Sequence, residues 1–365
     1  MKICFFADGQ SSHTVKWCEH FQRLGHEVHL ITFRNSSVEG VSVHYINVGN
    51  IHVKGGNWKV LLKFFKVRLL LKEIKPDIFH AHYATSYGIT AALANFHPLI
   101  ISGWGSDILV SPKSSKIMFY VIKWALKKSD AITIVADHMI DSVVSLGIPQ
   151  SKVNIITHGI NTNLFHKKEV EKHEEFTFVC TRNLEPLYNH IQLLEAFEIL
   201  VKKGLNVNLI LIGDGSLKKD LIKWVEHRNL KQNIRFLGRI SQEEMVVELN
   251  KAHVFVTTST SDGDVVSLVE AIACGNYCIG SDIPANRNWI KHNINGLIIP
   301  LFDNEALANA MVESMVNSIR PTKESIELNR NIIENKGNWN SNMLLAESLY
   351  CELIETRLQR KRRNC

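Results

Sequence analysis

The sequence contains no run approaching the roughly 18 uninterrupted apolar residues that a membrane-spanning helix needs. Its opening apolar run, residues 1–7, meets Asp8 too early for a secretory signal. The seven cysteines, Cys4, Cys18, Cys180, Cys274, Cys278, Cys351 and Cys365, are odd in number and include no Cys-x-x-Cys pair. They read as buried or incidental thiols of a reducing, cytoplasmic compartment rather than a disulfide framework. Low-complexity tracts and short internal repeats are absent. The basic excess is small, 42 Lys and Arg against 36 Asp and Glu, a net +6. That is too little for a nucleic-acid binder, but it permits a phosphate-bearing partner or an acidic surface. A full Gly-x-Gly-x-x-Gly fingerprint is also missing, so a dinucleotide site is not indicated.

What remains is ordinary globular composition, 45% hydrophobic and 21% charged over 365 residues. At roughly 150 residues per domain this length predicts two domains. Short apolar runs at 3–7, 28–33, 77–80, 99–102, 131–135 and 154–157 alternate with helical segments, the first helix spanning 13–24 and ending at Gly25. A charged stretch at 166–175 reads as a linker, and the alternation resumes with runs at 176–180, 207–212, 234–237, 253–257, 277–279 and 296–299. Ser241 and Glu244 fit a capping box. Strands alternating with helices imply α/β domains with parallel sheets and right-handed crossovers. The expected division is 1–165, 166–340, and a C-terminal helix with a frayed basic tail at 341–365, ending in Arg360, Lys361, Arg362 and Arg363. Two doubly wound domains are expected to face each other, with ligands in the cleft at the carboxyl ends of the strands.

Residues 259–275 carry the most chemistry. A strand ending near Thr258 leads into a polar loop with Asp262, then a helix with Glu270 two turns in. The N–H groups of Val265, Val266 and Ser267 open that helix, and such a start binds phosphate through its donors and dipole. Glu270 then stands where it can accept from ribose hydroxyls. A solvated helix with two ordinary carboxylates fits the same spacing. Gly9, in the first strand-to-helix loop, allows close backbone approach to a diphosphate. Gly213-Asp214-Gly215, between a strand and a helix, reads either as a tight turn or as the wall of a nucleotide pocket. His80 and His82 share a strand face, but no further ligand pattern accompanies them and no metal is expected.

Here the sequence resembles the retaining glycosyltransferases of family 4, with the two-domain GT-B fold of facing Rossmann-like domains. The resemblance runs through Gly25-His26-Glu27-Val28, Gly105-Ser106-Asp107, His158-Gly159-Ile160-Asn161-Thr162, Gly213-Asp214-Gly215, the seven-residue gap between Asp262 and Glu270, and Ser281 to Arg287. It implies a transferase, metal-independent and without a cofactor, that takes a nucleoside-diphosphate sugar as donor and a glycan or polyprenyl-linked acceptor. Cell-surface polysaccharide assembly, lipopolysaccharide included, is the implied setting, at the inner face of the plasma membrane. It implies that Glu270 holds the ribose, that Asp262 stands at the donor sugar, and that Arg182 holds the diphosphate. The family's companion Lys has no match; Leu187, Tyr188 and Asn189 occupy its region, in an Arg-x-Leu-x-Pro-x-Tyr-Asn pattern. Trp104 stands where many members have a histidine. Asp262 and His13 are then the candidate catalytic residues, His13 contacting acceptor or donor sugar, and His82, Trp104 and Asp107 are the candidate acceptor-side residues. A nucleotide-sugar epimerase and a non-catalytic partner on the same scaffold are the alternatives. Two basic stretches complete the reading. In 59–75 the charges fall on opposite faces, with Lys59, Lys63 and Lys66 against Arg68, Lys72 and Lys75. In 113–128, Lys113, Lys116, Lys123 and Lys127 gather with Tyr120 on one helical face, which suits either solvent or an anionic membrane.

Overall fold

A computed structural model describes residues 1–49, 58–318 and 322–363. Of the residues singled out above, Cys365 and the side chains of Lys59, Arg360, Lys361 and Arg363 lie outside the described residues. The chain divides into two compact units. The first comprises Met1–His158 together with the segment from Asn342 onward, and the second Gly159–Ser341.

The first unit is built on strands β1 (Lys2–Phe6), β2 (Glu27–Thr32), β3 (Ser42–Tyr45), β4 (Ile78–His82), β5 (Leu99–Gly103), β6 (Ala131–Ile134) and β7 (Val153–Ile155). All pair in parallel, in the order β3-β2-β1-β4-β5-β6-β7. Strand residues alternate between two buried faces. Cys4, Phe6, Phe79 and Ala81 point into one core, under the helices at Phe64–Ile74, Ser86–Ala94 and Lys116–Lys128. Phe5, His80 and His82 point the other way, towards Trp17 and Phe21 of the helix Ser12–Arg23. That helix stops where the sequence puts Gly25, whose φ of 81° closes the last turn by donating to Gln22 O at 2.9 Å.

Tyr350, fully buried on the long C-terminal helix Trp339–Arg363, completes this second face. Its hydroxyl meets His80 Nδ1 at 2.6 Å, His80 Nε2 meets Ser102 Oγ at 2.7 Å, and Ser102 Oγ meets Thr133 Oγ1 at 2.6 Å. A polar chain thus crosses β4, β5 and β6 with every member partnered, as a buried network must be. The helix runs on to Arg363, where repulsion among basic residues predicts fraying; its docked half, with Met343, Ala346 and Tyr350 fully buried, anchors it.

The second unit carries β8 (Phe176–Cys180), β9 (Val207–Ile212), β10 (Ile234–Gly238), β11 (Val254–Thr257), β12 (Tyr277–Ser281) and β13 (Gly296–Ile299), all parallel, in the order β10-β9-β8-β11-β12-β13. Alternation is again two-sided: Phe178, Leu209 and Val254 enter one core, Val179, Ile210 and Phe255 the other. Near-continuous apolar strands are what a sheet covered on both faces requires. Ser241 and Glu244 form the expected capping box, each side chain taking the other's backbone N–H.

The edge strand β3 is absent from the sequence reading, because Ser42–Tyr45 has no continuous apolar run and is partly exposed. The basic face at 113–128 is also corrected. The helix starts at Lys116, after Ser115 in an extended conformation with φ −164°, so Lys113 belongs to a separate turn, Ser111–Ser114. Ser115 caps the new helix by accepting from Met118 N at 3.1 Å.

Replacing Tyr350 by Phe keeps the ring and removes the hydroxyl, leaving a buried His80 nitrogen unpaired. The expected cost is about 1–3 kcal/mol, read as a lower urea midpoint with an unchanged slope. A variant as stable as the parent would show that the bond adds nothing.

Candidate active site

In the second unit the strand order reverses between β8 and β11, and the loops that leave these two strands flank one crevice. Arg182 follows β8 and Asp262 follows β11. The Arg182 guanidinium is nine-tenths buried; Nη2 pairs with the Asp262 carboxylate and Nη1 donates to Ser267 Oγ at 3.0 Å. The ring of Tyr188 underlies it, with the guanidinium carbon 4.1 Å from the ring centroid. The two loops are stitched together. Thr258 Oγ1 donates to the carbonyls of Tyr188 and Asn189, at 2.9 and 3.0 Å, and Thr260 N donates to Leu187 O at 2.9 Å.

The helix Val266–Ala273 makes its first backbone bond from Leu268 N to Val265 O, 2.9 Å. The N–H groups of Val265, Val266 and Ser267 precede that ladder, beside Arg182. Glu270 stands half-buried one turn beyond Ser267. The loop Gly213-Asp214-Gly215 lies against the other side of the Arg182 strand end. Leu184 N donates to Asp214 O at 3.0 Å, and a Cβ on Gly213 would meet Arg182 O at 2.6 Å. With φ 143° as well, no side chain fits there. Asp214 faces Lys218 across 3.7 Å.

The first unit has its own reversal, between β1 and β4. At the carboxyl ends of those strands four rings gather. His13 stacks on His158, centroids 4.1 Å apart; Trp104 lies 5.8 Å from His13, 5.2 Å from His158 and 4.8 Å from His82. His82 is fully buried, and neither of its ring nitrogens has a hydrogen-bond partner. Burial drives these imidazoles to the neutral form: His13 is lowered to about 4, with the Lys16 ammonium adding to the effect, and His82 and His158 lie well below the usual range. Asp107 has a different task. Its buried carboxylate accepts from the backbone N–H groups of Ala84, Trp104 and Gly105 at 2.7, 3.0 and 2.9 Å, tying the loop after β5 to the end of β4. It thereby holds Trp104 in place. Tyr83, at that same strand end, sits at φ 82°, a strained conformation for an aromatic residue.

The residues expected at the donor side therefore assemble around Arg182, except Gly9, which is in the first unit. Gly9 N donates to Thr32 Oγ1 at 3.0 Å, and a Cβ there would collide with Ser36 Oγ at 2.0 Å. His80 and His82 do share a face, but both nitrogens of His80 are taken by Tyr350 and Ser102. Among the described residues no cluster of three His, Cys, Asp or Glu is placed to hold a metal ion. Three neighbours escaped the sequence reading. Lys16 follows His13 by three on one helical face, a spacing that marks contact. His158 follows β7 by three residues within a motif already singled out, and Tyr188 sits in the Arg-x-Leu-x-Pro-x-Tyr-Asn pattern.

Comparison with known proteins bears on both units. Residues 2–136 match the family described as Glycosyl transferase 4-like, and residues 161–339 that described as Glycosyl transferases group 1. The N-acetyl-alpha-D-glucosaminyl L-malate synthase of Bacillus anthracis is 23% identical over 328 residues, covering 85% of this chain and 83% of that protein. The UDP-Gal:alpha-D-GlcNAc-diphosphoundecaprenol alpha-1,3-galactosyltransferase of Escherichia coli is 26% identical over 274 residues, covering 70% and 69%. Among solved structures, sucrose-phosphate synthase from Thermosynechococcus elongatus superposes with a TM-score of 0.83 at 15% identity, over 98% of this chain and 100% of that one. HepE of Anabaena, in complex with UDP, gives 0.78 at 16% identity, over 96% and 99%.

The neutral histidines make stability pH-dependent. An unfolded histidine takes up a proton near pH 6.5, whereas His13 resists until about 4. Between these values the unfolded chain binds more protons, so stability is full above pH 6.5 and falls as pH drops. The urea midpoint is expected to decline steadily from pH 7 to pH 5, and less steeply in His82→Phe. A flat profile would contradict neutral burial of the ring cluster.

Proposed function

The chain belongs to family 4 of the glycosyltransferases and has their GT-B fold, and on that footing we propose that it moves a sugar from a nucleoside-diphosphate sugar to a glycan or lipid-linked acceptor, with retention at the anomeric carbon. The observation that carries the donor assignment is the convergence of Arg182, Ser267 and an uncapped helix start at the β8/β11 reversal. A diphosphate is an anion with several acceptor oxygens, and a guanidinium beside free N–H groups matches it in charge and geometry. Arg182 and the N–H groups of Val265, Val266 and Ser267 stabilise the departing nucleoside diphosphate as charge develops on it. Glu270 accepts from the ribose hydroxyls. Gly213 and Asp214 wall the nucleotide. Asp262 exchanges Arg182 for the donor sugar when the diphosphate competes for the guanidinium. The bond from the anomeric carbon to the diphosphate oxygen breaks as the acceptor oxygen bonds to that carbon from the same side. The acceptor's proton passes to the departing diphosphate oxygen, no covalent protein intermediate forms, and the reaction uses no metal.

The acceptor side is the ring cluster of the first unit. An aromatic face at Trp104 suits the apolar face of a sugar, and the neutral imidazole of His13 can donate to or accept from its hydroxyls, with His82 packed behind Trp104. The names of two relatives support glycan and lipid-linked acceptors: the galactosyltransferase of Escherichia coli acts on a diphosphoundecaprenol, and a Staphylococcus aureus relative on poly(ribitol-phosphate). Surface polysaccharide synthesis at the cytoplasmic face of the membrane follows from that reading. No described helix is long and apolar enough to span a membrane. Contact with it is assigned to the helix Lys116–Lys128, which exposes Ile117, Tyr120 and Trp124 among Lys116, Lys123 and Lys127 and carries no acidic residue. Each basic residue near an anionic surface is worth about 1 kcal/mol.

Two measurements test this. Thermal unfolding with UDP, GDP, CDP and ADP in turn is expected to show stabilisation by one of them, about 2.7 kcal/mol at about 100 times its dissociation constant. Glu270→Ala and Arg182→Ala should abolish that shift, and no shift in the wild type would remove the donor assignment. Sedimentation with vesicles is expected to recover the protein on anionic lipid and not on neutral lipid, and Lys116→Glu/Lys123→Glu should release it. Equal recovery on both lipids, or on neither, would overturn the membrane contact.

A further inference from the structure

Arg182 is the cation that meets Asp262 and Ser267, so on the donor reading diphosphate affinity depends on where its guanidinium is held. Three surfaces fix it. Asp262 and Ser267 hold two nitrogens by hydrogen bonds, and both bonds are open to competition from an anion. The third surface is the face of Tyr188, 4.1 Å from the guanidinium carbon. The Tyr188 hydroxyl also lies within hydrogen-bonding reach of Arg182, but the ring face offers nothing for an anion to displace, so it goes on orienting the guanidinium plane when Asp262 lets go.

The ring is itself firmly seated. Tyr188 closes a short 3₁₀ turn that begins at Pro186, and its N–H donates to Glu185 O at 3.0 Å. Its carbonyl accepts from Thr258 Oγ1 at 2.9 Å, so the ring is pinned to the loop that delivers Asp262. Asn189, next in sequence, sits at φ 45° and turns the chain at once into the helix His190–Lys202. A partly buried ring on so constrained a turn has little freedom to leave its partner.

We infer that Tyr188 is a positioning residue for the donor: its ring face holds the Arg182 guanidinium in the plane that receives the diphosphate. This rests on the donor reading above and adds to it the residue that orients its arginine. Electrostatically the ring quadrupole attracts the guanidinium without neutralising it. A carboxylate in that place would compete with the phosphates. An aliphatic side chain would leave the long arginine free to rotate, a cost that falls on binding.

The test is isothermal titration of the folded full chain with UDP, GDP, CDP and ADP, then with the monophosphate and nucleoside of whichever diphosphate binds. Tyr188→Leu is expected to weaken the diphosphate about tenfold, the equivalent of about 1.4 kcal/mol, and to leave nucleoside affinity unchanged. Tyr188→Phe, which keeps the ring face, should stay within about twofold of the wild type, and Arg182→Ala/Tyr188→Leu should be no weaker than Arg182→Ala alone. If Tyr188→Leu does not fold, Tyr188→Met supplies the ringless side chain. Wild-type affinity in the ringless variant would overturn the inference. So would equal losses for nucleoside and diphosphate, a Tyr188→Phe as weak as Tyr188→Leu, or strictly additive losses in the double variant. Failure of the donor reading looks different: no diphosphate binds the wild type, or Arg182→Ala binds as well as the wild type.

Discussion

A parallel sheet sends the loop after every strand to the same edge, and where the order of strands reverses, two neighbouring loops depart in opposite directions and leave a gap between them. Both units have such a reversal, at β1/β4 and at β8/β11. The chemistry described above depends on it. Arg182 and Asp262 are 80 residues apart in sequence, yet their strands are hydrogen-bonded neighbours through Phe178 with Val254 and Val179 with Phe255. His13, His82 and Trp104 meet for the same reason, each following a strand of the first sheet by a few residues or closing it.

The two gaps solve opposite electrostatic problems. In the second unit a permanently charged guanidinium is buried, which is tolerable because a carboxylate, a hydroxyl and a ring face surround it. In the first, burial strips the imidazoles of their protons, so the cluster is uncharged. The proposed placement of a charged leaving group in the second unit and a neutral sugar acceptor in the first matches these two environments. Asp107 lies buried near the cluster, where burial pushes its carboxyl up and three backbone N–H groups offset part of that cost.

Much of this was legible in the amino acids. Fully buried strands announce themselves as apolar runs, and 176–180, 207–212 and 296–299 match the strands residue for residue. The capping box at Ser241 was equally plain, because both of its bonds are local. The spacing of Asp262 and Glu270, with Arg182 beyond the preceding strand, located the charged gap. What escaped depends on non-local or unpatterned contacts. The half-exposed edge strand β3 lacks an apolar run. One extended residue, Ser115, separates Lys113 from the helix to which periodicity assigned it. His158 and Tyr188 were each visible within a motif, but only the paired strands and stitched loops bring them against His13 and Arg182. Nothing local links His80 to Tyr350, 270 residues away.

That last contact has a consequence for how the protein is made. The strands of the first unit leave the ribosome well before the residue that covers Phe21 and partners His80, which follows the second unit in sequence. Until then the face of β4 that carries His80 lacks its cover, while the whole of Gly159–Ser341 is being synthesised. The second unit is continuous in sequence and can reach its native contacts first. Vectorial synthesis thus exposes all of the second unit before the first receives this cover, and the helix Trp339–Arg363 acts as the first unit's clasp.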